Sequence, residues 1–597
     1  MSRDLVLGLV LGALVPGVVR AWPGDLDPTF GRGGKVVTDL GGSALGRAGL
    51  IEPDGRIVVA GLAYLQELPG PLGPPLIGLA RYLPDGTLDP TFGNGGTVTS
   101  DALSFGAYAI VRQSDGKLIV AGSAVDEAGS SGFGLARFDS DGTLDSTFGT
   151  AGVVSTDFAG GDDDTRAVTL QADGKIVGAG FAGVGADSFF AVARYNPDGT
   201  LDPSFGAGGK TTPDLRGIAV AVVAEPDGHI MLGGTAGGFA LVRYDAAGVL
   251  DPSFGSGGVV VTAALGVLTS LVRQPDGEFV AAGGGDVATG TGAGSLFALA
   301  RYDVDGNLDA TFGTAGVART RFDTEGPESA DAAGLVLLPD GKLVAVGTDD
   351  TLLNTSFGHY SQFALVRYGP DGGLDASFAP CGAVETPFGR AFSGADAVAQ
   401  AALLQADGKV VAVGSAERVT HDSSFALARY GGGPASACAP AASGRGGLTL
   451  KNLLDDDRDM LRFKWVGAGA VDRADFGDPT TTSDYGFCIV DGTGMRAFRM
   501  TATAPAGGDW QATTRGYNDR NRYREPEGLS PVKLAAGLAG RARIEFHGRG
   551  RNLLMPPLPL PAPVTVRIER SDGPQCWQAT FSTPRTNTER EFAASSD

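Results

Sequence analysis

Short apolar runs fenced by turn residues dominate the first 430 positions. Arg56-Ile57-Val58-Val59-Ala60 and Lys409-Val410-Val411-Ala412-Val413 each follow an Asp-Gly pair and run into glycine within a few residues. Such a run is too short and too β-branched for a helix, and its lack of alternation marks a strand covered on both faces. The stretch Ala167-Val168-Thr169-Leu170 leads into Asp173-Gly174 and then into the next apolar run. That order predicts a hairpin, with glycine supplying the positive φ of the turn. A segment of the type Phe425-Ala426-Leu427-Ala428-Arg429-Tyr430 predicts a third strand, and Lys35 to Thr38 predicts a fourth.

The set of four recurs. Asp-Gly hairpin marks run from Asp54-Gly55 to Asp407-Gly408, strand arginines run from Arg81 to Arg429, and each of these marks occurs seven times. A motif like GTLDPTFG places phenylalanine at Phe30, Phe92, Phe148, Phe205, Phe254, Phe312 and Phe378, at spacings of 62, 56, 57, 49, 58 and 66. Self-similarity at a fixed period decides the fold before any single motif does. Four strands per unit, apolar on both faces, need sheets stacked face to face around an axis, which is a β-propeller. A β-solenoid would want a shorter repeat with fewer strands per turn. The expected fold class is therefore all-β, a seven-bladed β-propeller of four-stranded blades followed by a small β-sandwich-like domain.

The combination of the hairpin string around Asp173-Gly174-Lys175-Ile176-Val177, the ALARY-type strand and the GTLDPSFG turn resembles the delta-60 repeat of large secreted bacterial proteins, over roughly residues 24 to 431. The resemblance implies a propeller-type repeat and carries no assigned reaction or ligand. Departures are local: Asp245-Ala246-Ala247-Gly248 has Ala247 where other copies carry the aspartate of the turn, and Ala379 stands where other copies have glycine. The chain opens the series with Leu26-Asp27-Pro28-Thr29-Phe30-Gly31, while nothing of that kind follows Arg429-Tyr430. The N-terminal piece thus supplies what the last copy lacks, and both ends should seal the ring. An arginine precedes an aspartate by eight residues in each copy, as in Arg81 and Asp89, which predicts a structural charge-assisted pair. Across the closure Arg429 should meet Asp27.

Outside the repeats, Arg3 precedes an apolar run from Leu5 to Val19, with a cut expected after Ala21. The run is short for a membrane span and Gly and Pro interrupt it, so a cleaved secretory peptide (1–21) is favoured over an anchor. The propeller is expected over 22–431, a Gly/Ala/Pro/Ser linker over 432–447 and the β-sandwich-like domain over 448–597. In the last of these, Leu461 to Val466 and Val564 to Glu569 alternate as half-buried strands do. An oxidising compartment suits the four cysteines, with Cys381–Cys438 expected to lock the ring closure and Cys488–Cys576 to staple the sandwich. Four cysteines permit three connectivities, so the pairing is a geometric preference.

Composition refines this. The chain has 95 glycines and 34 prolines among 597 residues, a turn-rich mixture, and a net charge of -21. A field of that sign repels phosphate backbones and anionic lipid, which excludes nucleic acid and membrane insertion of the mature chain as expected partners. No nucleophile elbow, phosphate loop or zinc helix motif is present, and the four histidines (His229, His359, His421 and His547) lack metal-ligand spacing. Runs such as Asp139 to Asp145 and Asp303 to Asp309 set carboxylates around a glycine in a way that suits calcium, but Asx-type turns explain them more simply. The expectation is no cofactor, with calcium as the minority reading. Asp162-Asp163-Asp164 and Asp455-Asp456-Asp457 read as solvated acidic loops.

The two uniform turns of each copy share one face of the disc, so the variable connections share the other. Recognition usually sits on diverse loops held by a rigid scaffold. The candidate binding loops are Asp349 to Tyr360, with Asn354 and His359, and Arg418 to Asp422, with His421. The expected role is a secreted or cell-surface binding or scaffold protein, with an unknown extracellular protein or glycan as partner and no catalytic residues assigned. The rival is an extracellular propeller hydrolase or lyase acting on polysaccharide.

Overall fold

The computed structural model describes residues 24–597 except 66–73, 105, 126–129, 159, 290–291, 323–328, 353–358, 376–377, 379–381, 389–395, 418–421, 432–437, 453–458, 482–484, 492–499, 505–509, 520–528, 550–557, 561 and 571–574. The expected cleavage site at Ala21 and the acidic run 455–457 lie outside the described residues.

The repeat region is all β. Its sheets are antiparallel and follow chain order, as in the four-stranded sheet Gly42–Ile51, Ile57–Leu65, Leu76–Tyr82 and Thr97–Ser100. The hairpins form where the Asp-Gly marks predict them: Gly55 takes φ 88 and Gly174 takes φ 85, and in each the Asp side chain accepts the backbone N–H two residues on. The second strands are buried over most of their length, as over residues 57–63 of Ile57–Leu65, because another sheet covers each face. One sheet contains eight strands, yet its two antiparallel halves are joined in strand pairing only by the single parallel pair Ser295 and Ser329.

Ring closure is direct. Lys35–Thr38 pairs antiparallel with Ser423–Tyr430, from Lys35 opposite Ala428 to Thr38 opposite Phe425. Asp27 N–H donates to Arg429 O at 2.8 Å and Gly431 N–H to Asp25 O at 2.8 Å. The first strand of each sheet (Gly42–Ile51, Ala109–Arg112, Asp164–Leu170, Ile218–Ala224, Leu268–Arg273, Ser329–Leu337 and Ala397–Leu404) packs against the first strands of its two neighbours. The cycle is complete, since Gly42–Ile51 also packs on Ala397–Leu404. First strands that meet in a closed cycle are the innermost ones.

Most of the sheet-to-sheet cores share a tyrosine that ends the third strand, replaced by Phe138 in one repeat. Tyr195 reaches back to the preceding sheet, its hydroxyl donating to Thr156 Oγ1 at 2.9 Å, and Tyr82 does the same to Thr38 and Tyr430 to Thr386. Burial pushes these phenols upward, Tyr302 to about 12. Beyond residue 438 the chain forms a five-stranded and an eight-stranded sheet whose inward side chains share one core. Trp465 of the larger sheet meets Trp577 of the smaller edge-on at 6.5 Å.

The expected cysteine pairing is corrected. Cys438 bonds to Cys576, with Cα atoms 4.6 Å apart, so neither Cys381–Cys438 nor Cys488–Cys576 forms. The reason lies in the strand that follows Cys438. Ala439–Pro440 adds to the edge of the smaller sheet parallel to Cys576–Phe581, with Ala439 opposite Trp577. Cys438 is thereby set beside Cys576 and serves the C-terminal sheets, not the ring closure. Cys488 is also disulfide-bonded, and Cys381 lies outside the described residues.

Candidate functional site

Three places on the repeat region hold polar side chains in quantity: the uniform turns, the variable connections and the innermost strands.

At the turns one arginine does several jobs. Arg137 leaves its strand, donates through Nε to Asp145 at 2.7 Å, through Nη2 to Thr147 at 3.2 Å and through Nη1 to Pro197 O at 2.7 Å, and lies over the Phe148 ring at 4.6 Å. Pro197 belongs to the turn of the next repeat, so the side chain ties strand, turn and neighbour together. Arg81, Arg194, Arg301 and Arg429 repeat the arrangement over Phe92, Phe205, Phe312 and Phe30. The expected closure pair forms, with Arg429 Nε donating to Asp27 at 3.0 Å.

Arg243 departs. It turns to Glu225, with Nε donating at 2.8 Å, and keeps Asp251 at 3.3 Å. Glu225 and its counterpart Glu52 stand where four other repeats have glutamine and one has Leu338, and each also meets an arginine of the next repeat, Arg273 at 3.4 Å and Arg112 at 3.5 Å.

The acidic turn motifs are engaged as Asx turns. Asp141 Oδ1 accepts from Thr143 N–H at 2.9 Å and from its hydroxyl at 2.7 Å, and Asp303 accepts from the N–H groups of Asp305 and Asn307. Burial raises the carboxyl of Asp89, but hydrogen bonds from Thr91 and the Arg81 charge outweigh it and bring it down to about 2. Asp145 and Asp202 are lowered in the same way. His229 sits on a hairpin turn, as its position implied, with its N–H on Asp227.

The candidate binding loop from 349 to 360 is shorter than the sequence suggests. Leu343–Leu352 and His359–Tyr368 extend as paired strands, placing Asp349 opposite Gln362, Thr351 opposite Tyr360 and Leu352 opposite His359. Asp349 is fully buried, and Gln362 Nε2 donates to it at 3.5 Å and to Glu385 at 2.8 Å. It is a strand residue, and the extended pairing explains why: the hairpin continues past the point where the apolar pattern ends. Asp422 is half-buried just before Ser423–Tyr430, while Asn354, Arg418 and His421 lie outside the described residues.

The Asp162–Asp164 run also departs from expectation. Asp162 is exposed, but Asp163 and Asp164 are buried at 0% and 5% exposure. Asp163 accepts from the N–H groups of Phe158 at 2.8 Å and Gly183 at 3.0 Å. Asp164 opens an innermost strand, accepts from Ser123 at 2.6 Å and pairs with Arg166 at 2.7 Å. Burial raises the carboxyl of each.

Arg166 belongs to a feature the sequence reading missed. Every innermost strand but Ala109–Arg112, which Tyr108 directly precedes, carries a register shift at one equivalent place, between Gly46 and Ala48, Thr165 and Ala167, Ala219 and Ala221, Leu268 and Ser270, Ala332 and Gly334, and Ala399 and Ala401. The extra residue of a bulge leaves the ladder and re-aims its side chain. Thr269 shows the direction, since its hydroxyl donates to Ala332 O of the next innermost strand at 2.6 Å. At the equivalent positions of three consecutive strands stand Arg47, Tyr108 and Arg166. Arg47 lies 5.2 Å and Arg166 4.1 Å from the Tyr108 ring centroid. The remaining equivalents are Val220, Thr269, Ala333 and Gln400, so cationic side chains gather on one arc of the ring. A signal did exist: each of these residues lies seven positions before the aspartate of its Asp-Gly turn.

Compared with known proteins, segments 52–92, 113–148, 171–205, 225–254, 274–312 and 338–378 match a family described as a domain of unknown function (DUF5122) beta-propeller. The chain therefore carries β-propeller repeats. No curated protein matches it. Among solved structures, it is similar to polysaccharide lyase Uly1, at 10% identity over 70% of this chain and 98% of that one, with a TM-score of 0.37. A protein of unknown function from Dyadobacter fermentans gives 14% identity over 66% and 97%, at 0.29. The α-L-arabinofuranosidase Arb93A from Fusarium graminearum gives 11% over 69% and 97%, at 0.31.

Proposed function

We propose that the chain is a secreted or cell-surface binding protein whose repeats close as a seven-bladed propeller, with a β-sandwich-like domain over 448–597 as attachment or spacer. The carrying observation is the division of labour between the two ends of each sheet. The uniform turns commit their arginine, aspartate and phenylalanine to holding repeat to repeat, as Arg137 does. The opposite connections, from the one after Leu65 to the one after Glu417, differ in length and content from copy to copy. Variation on a rigid frame is the arrangement that recognition uses. Secretion accords with the Cys438–Cys576 bond, which forms in oxidising compartments. Among the described residues no helix is long and apolar enough to cross a membrane.

A glycan and peptide array probed with the secreted full chain, with and without calcium, tests the reading. Retention on a defined class of glycan or peptide, unchanged by calcium, is expected. Shortening of a polysaccharide without retention on any array would replace binding by hydrolysis or elimination as the function.

A further inference from the structure

Arg47 is a cation without a paired carboxylate among the described residues. Its strand, Gly42–Ile51, is innermost, and the residue is half-buried. No carboxylate pairs with it among the described residues, and its Nε is shielded from water without a hydrogen-bond partner. Leaving a shielded guanidinium donor unmet is unfavourable, and in a chain of net charge -21 carboxylates are abundant enough to have met it.

The neighbours reinforce the point. Arg166 also has a shielded Nε without a partner, although its Nη2 holds Asp164. Tyr108 stands between the two guanidinium groups in strand order, with Tyr64 near enough to act on its phenol. Among the described residues Asp164 is the carboxylate that acts on Arg47, Tyr108 and Arg166, and Ser123 and Arg166 already occupy it. Two guanidinium groups against one carboxylate leave a net positive charge on this arc.

Tyr64 marks which end of the sheet lies nearest this group. Tyr64 lies next to the end of Ile57–Leu65, opposite Ser43, at the end of the sheet away from the Asp-Gly turn. Bulges of this kind expose side chains that the ladder would otherwise hide.

We infer that Arg47, Tyr108 and Arg166 form a binding site for an oxyanion group, the carboxylate or phosphate of a small ligand entering along the propeller axis. Guanidinium donors match such groups in pairs, and a half-buried position strengthens each bond over its value in water. Tyr108 fixes the guanidinium groups by cation–π contact and offers its hydroxyl as a further donor.

The test titrates the intact chain with inorganic phosphate in one arm and glucuronate in the other, by calorimetry and by the shift in thermal midpoint. Saturable binding of either probe is expected, and the tighter arm identifies the ligand group. Arg47→Met should weaken that binding at least about tenfold, the loss expected for one charge-assisted contact. Arg47 gives up its contact with the Tyr108 ring but no paired carboxylate, so the same variant should unfold close to the parent's midpoint without ligand. Tyr108→Phe keeps the ring and should weaken binding less than Arg47→Met. Absence of saturation in both arms, or equal binding by parent and Arg47→Met, overturns the assignment.

Discussion

Single residues carry much of the repeat's geometry. Gly142 sits at φ 89, and a Cβ there would stand 2.8 Å from Val98 Cγ2 and 3.0 Å from the Phe92 ring. Glycine is needed both for the backbone region and for the space over the preceding repeat's phenylalanine. Gly142→Ala should therefore lower stability by about 1–3 kcal/mol in urea denaturation, with no change in the fold by circular dichroism. The turn aspartates set the response to acid. Asp89 is held at about 2 in the fold, and Asp145 and Asp202 are lowered as well. A carboxyl whose folded value lies below its unfolded value of about 4 stabilises the fold above that pH, and its contribution disappears as pH falls through the folded value. Thermal midpoints measured from pH 7 downward should hold until about pH 5, then fall steeply toward pH 2. A midpoint that rises on acidification would show that these aspartates do not hold the turns.

Elements explain what single residues do not. The strand Lys35–Thr38 is only four residues long, yet it covers the edge of Ser423–Tyr430. Removing residues 24–38 would expose that edge and strand Arg429 without Asp27. Exposed edges recruit other chains, so the truncated protein should elute as oligomers in size-exclusion chromatography and lose cooperative melting. Arg429→Ala isolates the ion pair. Both partners are buried, at 5% and 4% exposure, and breaking such a pair from one side costs about 3–5 kcal/mol. Double substitution of Arg429 and Asp27 should lose less than the sum, which a double-mutant cycle reads directly. The parallel edge strand Ala439–Pro440 acts likewise on the C-terminal sheets by presenting Cys438 to Cys576.

For the whole molecule, covalent and non-covalent closures are separate. The ring is sealed by backbone pairing of its two ends and by Arg429 on Asp27, while the Cys438–Cys576 bond belongs to the C-terminal sheets. A non-reducing peptide map should contain a Cys438–Cys576 peptide. Recovery of a Cys381–Cys438 peptide would refute the arrangement. Reduction should loosen the C-terminal sheets while leaving the ring's hydrogen-exchange protection largely in place.

Periodicity by itself determined the strands, their hairpins, the arginine–aspartate spacing and the pairing of Arg429 with Asp27, because each depends on neighbours within a repeat or on the same offset carried round the ring. The tertiary structure alone decided the rest. Asp163 and Asp164 look like a solvated run until an innermost strand and the sheet beside it enclose them. Asp349 looks like a loop residue until a long hairpin buries it opposite Gln362. Cys438 found Cys576 because an edge strand docks parallel to a segment 138 residues away. Arg47, Tyr108 and Arg166 are far apart in the chain, and only the stacking of innermost strands makes them neighbours. Local pattern records what a residue's own strand requires, whereas burial, partner and charge balance are set by whichever strand the fold brings alongside.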